Sequence, residues 1–304
     1  MLNSQPILEP TPNSKAGSEP VGGWLTTYLS FVRFSHSVFA LPFALTGALL
    51  AWRTHPFSWT QVGWIVACMV FARSAAMGFN RLVDARWDAQ NPRTAMRELP
   101  RGAMTSREAT LFVVIASVLF VACASRLSTL CFALSPVALV IVFWYSLAKR
   151  YTTYTQLFLG LAMAVAPVGG WIAAGGRQGL EPWLLGSAIG LWVGGFDILY
   201  ACQDLEFDRR AGLRSIPTRF GVRASIRLSR AMHVLTIAAM LALAQAAHLP
   251  LLYLGGVLFV AILLFYEQSL VSDTDLSQVK KAFDLNGYVG IVYFAATALS
   301  LYLG

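Results

Sequence analysis

The chain has 304 residues, 57% of them hydrophobic and 12% charged, with a mean hydropathy of +0.60. A soluble domain carries about a quarter charged residues, so this composition excludes a water-soluble globule and points to a single membrane domain. The net charge of +8, from 23 Lys and Arg against 15 Asp and Glu, reads as orientation charge and attraction to anionic lipid rather than as a nucleic-acid surface.

Residues 1–22, rich in Pro, Ser, Gly and Asn, read as a disordered tail. Residues 23–304 read as one all-α, polytopic membrane domain. The tail has Lys15 as its only base, unlike an arginine-rich transit peptide, and the first apolar run starts too late for a secretory signal. A helix needs about 20 apolar residues to cross a bilayer. Nine runs qualify, at roughly 31–52, 60–80, 109–125, 128–147, 154–175, 182–202, 228–247, 249–269 and 286–303.

The connections alternate in charge. The one after the second run holds Arg81, Arg86, Arg93, Arg97, Arg101 and Arg107, and the one after the fourth holds Lys149 and Arg150. Arg209, Arg210, Arg214, Arg219, Arg223 and Arg227 follow the sixth run, and Lys280 and Lys281 follow the eighth. The opposite connections hold little beyond Arg53, Arg126 and Arg177. Nine spans with a cytoplasmic N-terminus and cytoplasmic even-numbered loops satisfy the positive-inside rule.

Two acidic clusters follow even-numbered runs and therefore share that face. The first is Asn80-x-x-x-Asp84-x-x-x-Asp88, which at helical spacing puts all three side chains on one face, in line with Arg73 and Met77. The second is Asp197, Tyr200, Asp204 and Asp208, with the aspartates spaced seven and four, again as one helical face. Like charges at such spacing repel, and a divalent cation removes the penalty: magnesium takes one or two carboxylates plus substrate phosphates. Asp197 also falls inside an apolar run, where an ionisable group is costly and usually functional. Arg93 and Arg97 follow the first cluster, and with Lys149 they are the candidates for holding phosphate oxygens. No CxxC pair joins the four cysteines and no HExxH pattern joins the histidines, so neither zinc nor a disulfide framework is indicated.

These segments, taken in order, resemble the UbiA superfamily of intramembrane prenyltransferases: NRLVDARWD with NPRTAMRELPRG behind it, YSLAKRYT at 145–152, and DILYACQDLEFDRRAGLRSIPTRFG at 197–221. The stretch VRFSHSVFALPFALTGALLA at 32–51 is most similar to the quinone-pathway members. The resemblance implies a nine-helix bundle around a central cavity, capped by the acidic loops and open sideways to lipid. It implies Mg2+ held by Asn80, Asp84, Asp88, Asp204 and Asp208, with Asp197 joining the aspartates in catalysis. Asn80, Arg93, Arg97, Lys149, Tyr145, Tyr200, Arg33 and Arg73 would bind substrate. Arg81 is a departure, because many members carry an acid there.

The implied reaction transfers a polyprenyl group from its diphosphate to a small aromatic acceptor, of the 4-hydroxybenzoate or dihydroxynaphthoate type, in ubiquinone or menaquinone biosynthesis. The expected setting is the bacterial inner membrane, with lipid as the surroundings and no protein partner legible. A transporter with intramembrane charges (Arg33, Arg73, Asp197) is the alternative, and divalent-metal dependence separates the two. The DG…AR…GxxxDxxxD signature of a CDP-alcohol phosphatidyltransferase does not occur.

Overall fold

The computed structural model describes residues 24–31 and 40–303; the expected tail and Arg33 lie outside the described residues. The described residues are helical, without strands. In chain order they form α1 (Trp24–Phe31), α2 (Leu41–Ala51), α3 (Trp59–Asp88), α4 (Ser106–Leu127), α5 (Thr129–Tyr151), α6 (Thr155–Ala173) and α7 (Glu181–Ala201). A 3-10 turn (Cys202–Asp204) then leads to α8 (Leu205–Arg210), α9 (Ile216–Ala246), α10 (Leu251–Ser269) and α11 (Val279–Leu303). Among the described residues eight helices are long and apolar enough to cross a membrane. With α2, the described part of the first expected span, the described residues fit the expected nine.

Apolar runs locate the spans but not the helix ends. The second run is read as 60–80, yet α3 continues through Asp88, so Arg81 and Arg86 are helical rather than in a loop. The seventh begins at 216 instead of 228, which brings Arg219, Arg223 and Arg227 into α9. There Ser215 and Thr218 form a reciprocal capping box that satisfies the first-turn amides. Gly221, at φ 79°, then breaks the helix in a conformation other residues resist. The membrane sets where apolarity stops, whereas caps and turns set where a helix stops.

The interior is built for lipid surroundings. Phe43, Trp192, Tyr253 and Tyr293 are fully buried where α2, α7, α10 and α11 meet, with the Phe43 and Trp192 rings 5.2 Å apart. Each polar handle has a partner, as it must away from water. Trp192 Nε1 donates to Asn286 Oδ1 at 2.7 Å, and the Tyr253 and Tyr293 hydroxyls are 2.7 Å apart.

Apolar surface gains little by leaving lipid, so helices associate through close packing, and small residues permit it. At the α2–α6 crossing Gly170 lies against the backbone of Ala44, and Gly47 against that of Pro167. A Cβ at either glycine would collide with a carbonyl oxygen of the other helix. Gly170→Leu is therefore expected to cost about 3 kcal/mol or more. Gly255→Leu, on an open stretch of α10, should cost far less. Detergent-solubilised thermal unfolding measures both, and equal melting temperatures would refute the tight crossing.

Candidate active site

The ends of α3, α5 and α7 that lead into the arginine- and lysine-rich connections converge, and with them both acidic clusters. On α3 the expected single face is realised: Asn80 Nδ2 donates to Asp84 Oδ2 at 3.2 Å one turn on. The second cluster is not carried on one continuous α-helix: the 3-10 turn over Cys202–Asp204 separates α7, which carries Asp197 and Tyr200, from α8, which carries Asp208. Its aspartates nonetheless share one side, all within electrostatic reach of Lys149.

Four carboxylates each pair with a base. Asp84 Oδ1 accepts from Arg150 Nη2 at 2.9 Å. Both oxygens of Asp88 accept from Arg97 Nη1, at 2.8 and 2.7 Å. Arg93 reaches across from the loop to Asp204, donating from Nη2 at 2.8 Å and from Nε at 3.3 Å. Its Nη1 donates to the Tyr200 hydroxyl at 3.0 Å, and the guanidinium sits 5.4 Å from the centre of that ring. Burial works against the charge of Arg93, but Asp204 and Tyr200 beside it hold the guanidinium above its ordinary value. Lys149 Nζ lies 3.9 Å from Asp208 Oδ2, too far for a hydrogen bond. It is also within electrostatic reach of Asp204, Asp197 and Asp84. One ammonium thus stands between acids of both clusters.

The donor set suits a divalent cation. Among the described residues no three Asp, Glu, His or Cys form a ready-made cage, but magnesium is usually held by one or two carboxylates completed by substrate phosphates and water. The ligands at hand are hard oxygens. Asp208 is 1% exposed, and its Oδ2 is buried with no hydrogen-bond partner. A buried carboxylate oxygen with an ion-pair neighbour but no hydrogen bond is costly, and a bound cation would satisfy it.

Below the charged end lies an apolar cavity of about 780 Å3 between α3, α5, α6 and α7. Arg73 and Met77 line it on the same α3 face that continues to Asn80 and Asp84. Tyr145 lines it from α5, one turn before Lys149. Arg73 supplies the only guanidinium in the wall among the described residues, and its Nε is buried without a hydrogen-bond partner. Leu134, Val137 and Leu161, all well exposed, belong to the wall, so the chamber is not sealed.

Two features escape the sequence reading. Arg150 appears there only as an orientation charge, yet it holds Asp84 and also stacks 4.4 Å from the Trp87 ring centre. Its place immediately after Lys149 is the one available hint. Arg81 turns away from the acids: it is buried and donates to Glu98 at 2.6 Å, while Ser30 donates to the other Glu98 oxygen at 2.6 Å. The expected departure at this position is thus a strut tying α1 and the loop to α3. Removing one partner of such a buried pair costs about 3–5 kcal/mol.

Residues 40–295 match the model of the UbiA prenyltransferase family. The chain belongs to that family. A 4-hydroxybenzoate octaprenyltransferase of Citrobacter koseri is 31% identical over 291 residues, covering 92% of this chain and 99% of the relative. One from Photobacterium profundum is 32% identical over 234 residues, 77% of this chain and 81% of its own length. Among solved structures, a UbiA homolog from Aeropyrum pernix K1 superposes with a TM-score of 0.80 at 34% identity, over 87% of this chain and 98% of that one. A UbiA homolog from Archaeoglobus fulgidus bound to GPP and Mg2+ gives 0.68 at 19% identity, over 90% and 99%, a likeness of fold alone. This UbiA-family chain is an integral membrane enzyme of the aromatic prenyltransferase class, and the transporter alternative falls away.

Proposed function

We propose that the enzyme transfers a polyprenyl group from its allylic diphosphate to a hydroxybenzoate-type ring, in a Mg2+-dependent reaction of quinone biosynthesis. The observation that carries this reading is Lys149, set among acids of both clusters and directly above an apolar chamber. A polyanionic head with an apolar tail is the ligand such a junction accommodates. The relatives named for 4-hydroxybenzoate favour that ring over a dihydroxynaphthoate.

Asn80, Asp84, Asp88, Asp204 and Asp208 would hold the metal, which when bound neutralises charge on the departing diphosphate. Lys149, Arg93, Arg97 and Arg150 would exchange carboxylate partners for phosphate oxygens, which matches the two-pronged geometry of guanidinium to phosphate. Tyr200 keeps Arg93 over the site while that exchange takes place. Asp197 helps hold Lys149 in place. As the allylic C–O bond breaks, its electron pair leaves with the diphosphate. The ring attacks the resulting allyl cation and then gives up its proton. Walls of Leu, Val, Ala and Met exclude the water that would otherwise capture the cation. Arg73, the unpaired cation beside Tyr145, would take the acceptor's carboxylate. Arg33 remains a proposed substrate contact. The acidic loops would face the cytoplasm of a bacterial inner membrane. Ser30 donates to Glu98 at that same end, so a cytoplasmic active-site face would put α1 on the cytoplasmic side as well.

The test is prenyl transfer by the detergent-purified chain, given geranyl diphosphate with 4-hydroxybenzoate or 1,4-dihydroxy-6-naphthoate, with Mg2+ or EDTA. Magnesium-dependent product from 4-hydroxybenzoate is expected, with Arg73→Leu raising the KM for that acceptor about tenfold or more. Product from the naphthoate alone would reassign the acceptor, and EDTA-insensitive turnover would overturn the metal reading.

A further inference from the structure

The end of the bundle opposite the acidic loops is poor in cations, as befits a face without orientation charge. Its connections bring only Arg53, Arg126 and Arg177 among the described residues. Two of these three nonetheless meet. Arg53, just after α2, and Arg177, between α6 and α7, line one cavity of about 420 Å3 with His55, Trp171, Gln178 and Glu181. Arg53 is anchored there by donating to the Ala247 carbonyl at the end of α9, while Arg177 extends from an exposed loop position.

Trp171 adds an indole to the wall; it is 6% exposed, and Gly176 packs directly against its Nε1. The charged donors of the wall are the two guanidiniums, which only donate. Two arginines against the single carboxylate of Glu181 leave one net positive charge. Convergent donors with one net positive charge, at the depth where spans end, suit a singly charged anion rich in acceptor oxygens.

We propose that this pocket binds a phosphate anion at the membrane surface opposite the active site, with the phosphodiester of an anionic lipid headgroup as the source its charge fits. The site uses none of the residues assigned to prenyl transfer and stands apart from that assignment. Inorganic phosphate shares the chemistry, and the two sources can be separated.

Native mass spectrometry of the full chain in detergent, titrated with dioleoyl phosphatidylglycerol, dioleoyl phosphatidylcholine or inorganic phosphate, tests it. Phosphatidylglycerol is expected to bind in preference to phosphatidylcholine. Arg177→Gln should weaken that binding about tenfold, the loss of one charge-assisted contact, and Glu181→Gln should tighten it severalfold. Both positions lie at the surface end of the bundle, and unchanged melting temperatures will confirm intact folds. Phosphate binding with the same dependence on the two variants, without lipid preference, supports the site with free phosphate as its ligand. Binding that neither variant alters, or no binding of any of the three, overturns the proposal.

Discussion

Asp208→Asn is expected to lower prenyl transfer at least about a thousandfold, the scale of losing a preorganised charge at a reacting centre. Asparagine keeps the size and shape of the side chain, so the 1% exposed position need not repack. What disappears is the negative charge and one carboxylate oxygen of a group whose Oδ2 has Lys149 nearby but no hydrogen bond. The fold should survive, with a melting temperature within a few degrees of wild type. The informative companion measurement is thermal stabilisation by Mg2+ with geranyl diphosphate, which the variant should lose along with activity. Turnover within tenfold of wild type would remove Asp208 from the metal site. Lost activity together with intact ligand stabilisation would move its role from binding to the chemical step.

Lys149→Met should separate the two charged ligands. The ammonium faces Asp208, Asp204, Asp197 and Asp84, so it both neutralises the acids and offers donors to an anion. Without it the carboxylates repel one another more strongly, and a divalent cation relieves that repulsion. Binding of Mg2+ alone should therefore be preserved or tightened. The KM for geranyl diphosphate should rise about a hundredfold, as expected for losing a charged contact of about 2–3 kcal/mol. The KM for the aromatic acceptor should barely move. Calorimetry for the metal and steady-state kinetics for both substrates read these outcomes. Parallel weakening of metal and diphosphate would show that Lys149 only holds the acidic loops in place.

Much of this was legible from one sequence because the signals are local. Hydropathy marks each span by its own residues. The spacing of Asn80, Asp84 and Asp88 specifies a shared helical face, and one bond between neighbours bears it out. The alternation of cationic connections places both acidic clusters at one end without any tertiary information. Where local rules overlap, spacing alone misleads. Seven-and-four spacing suggested one helix through Asp197, Asp204 and Asp208, but a 3-10 turn intervenes, and hydrogen bonding in a short turn leaves no periodic trace.

The amino-acid sequence by itself determined the membrane class, the number of spans and the acids that gather at one end, because each depends on residues within a few turns of one another. Only the tertiary structure decided which base serves which acid. Arg93 and Asp204 are 111 residues apart, and Arg150 and Asp84 are 66 apart. Their pairing depends on how closely α3, α5 and α7 approach, and side-chain packing between helices sets that distance. The same holds at the opposite end, where Arg53 and Arg177 look like stray charges until the ends of α2 and α6 bring them to one pocket with Trp171.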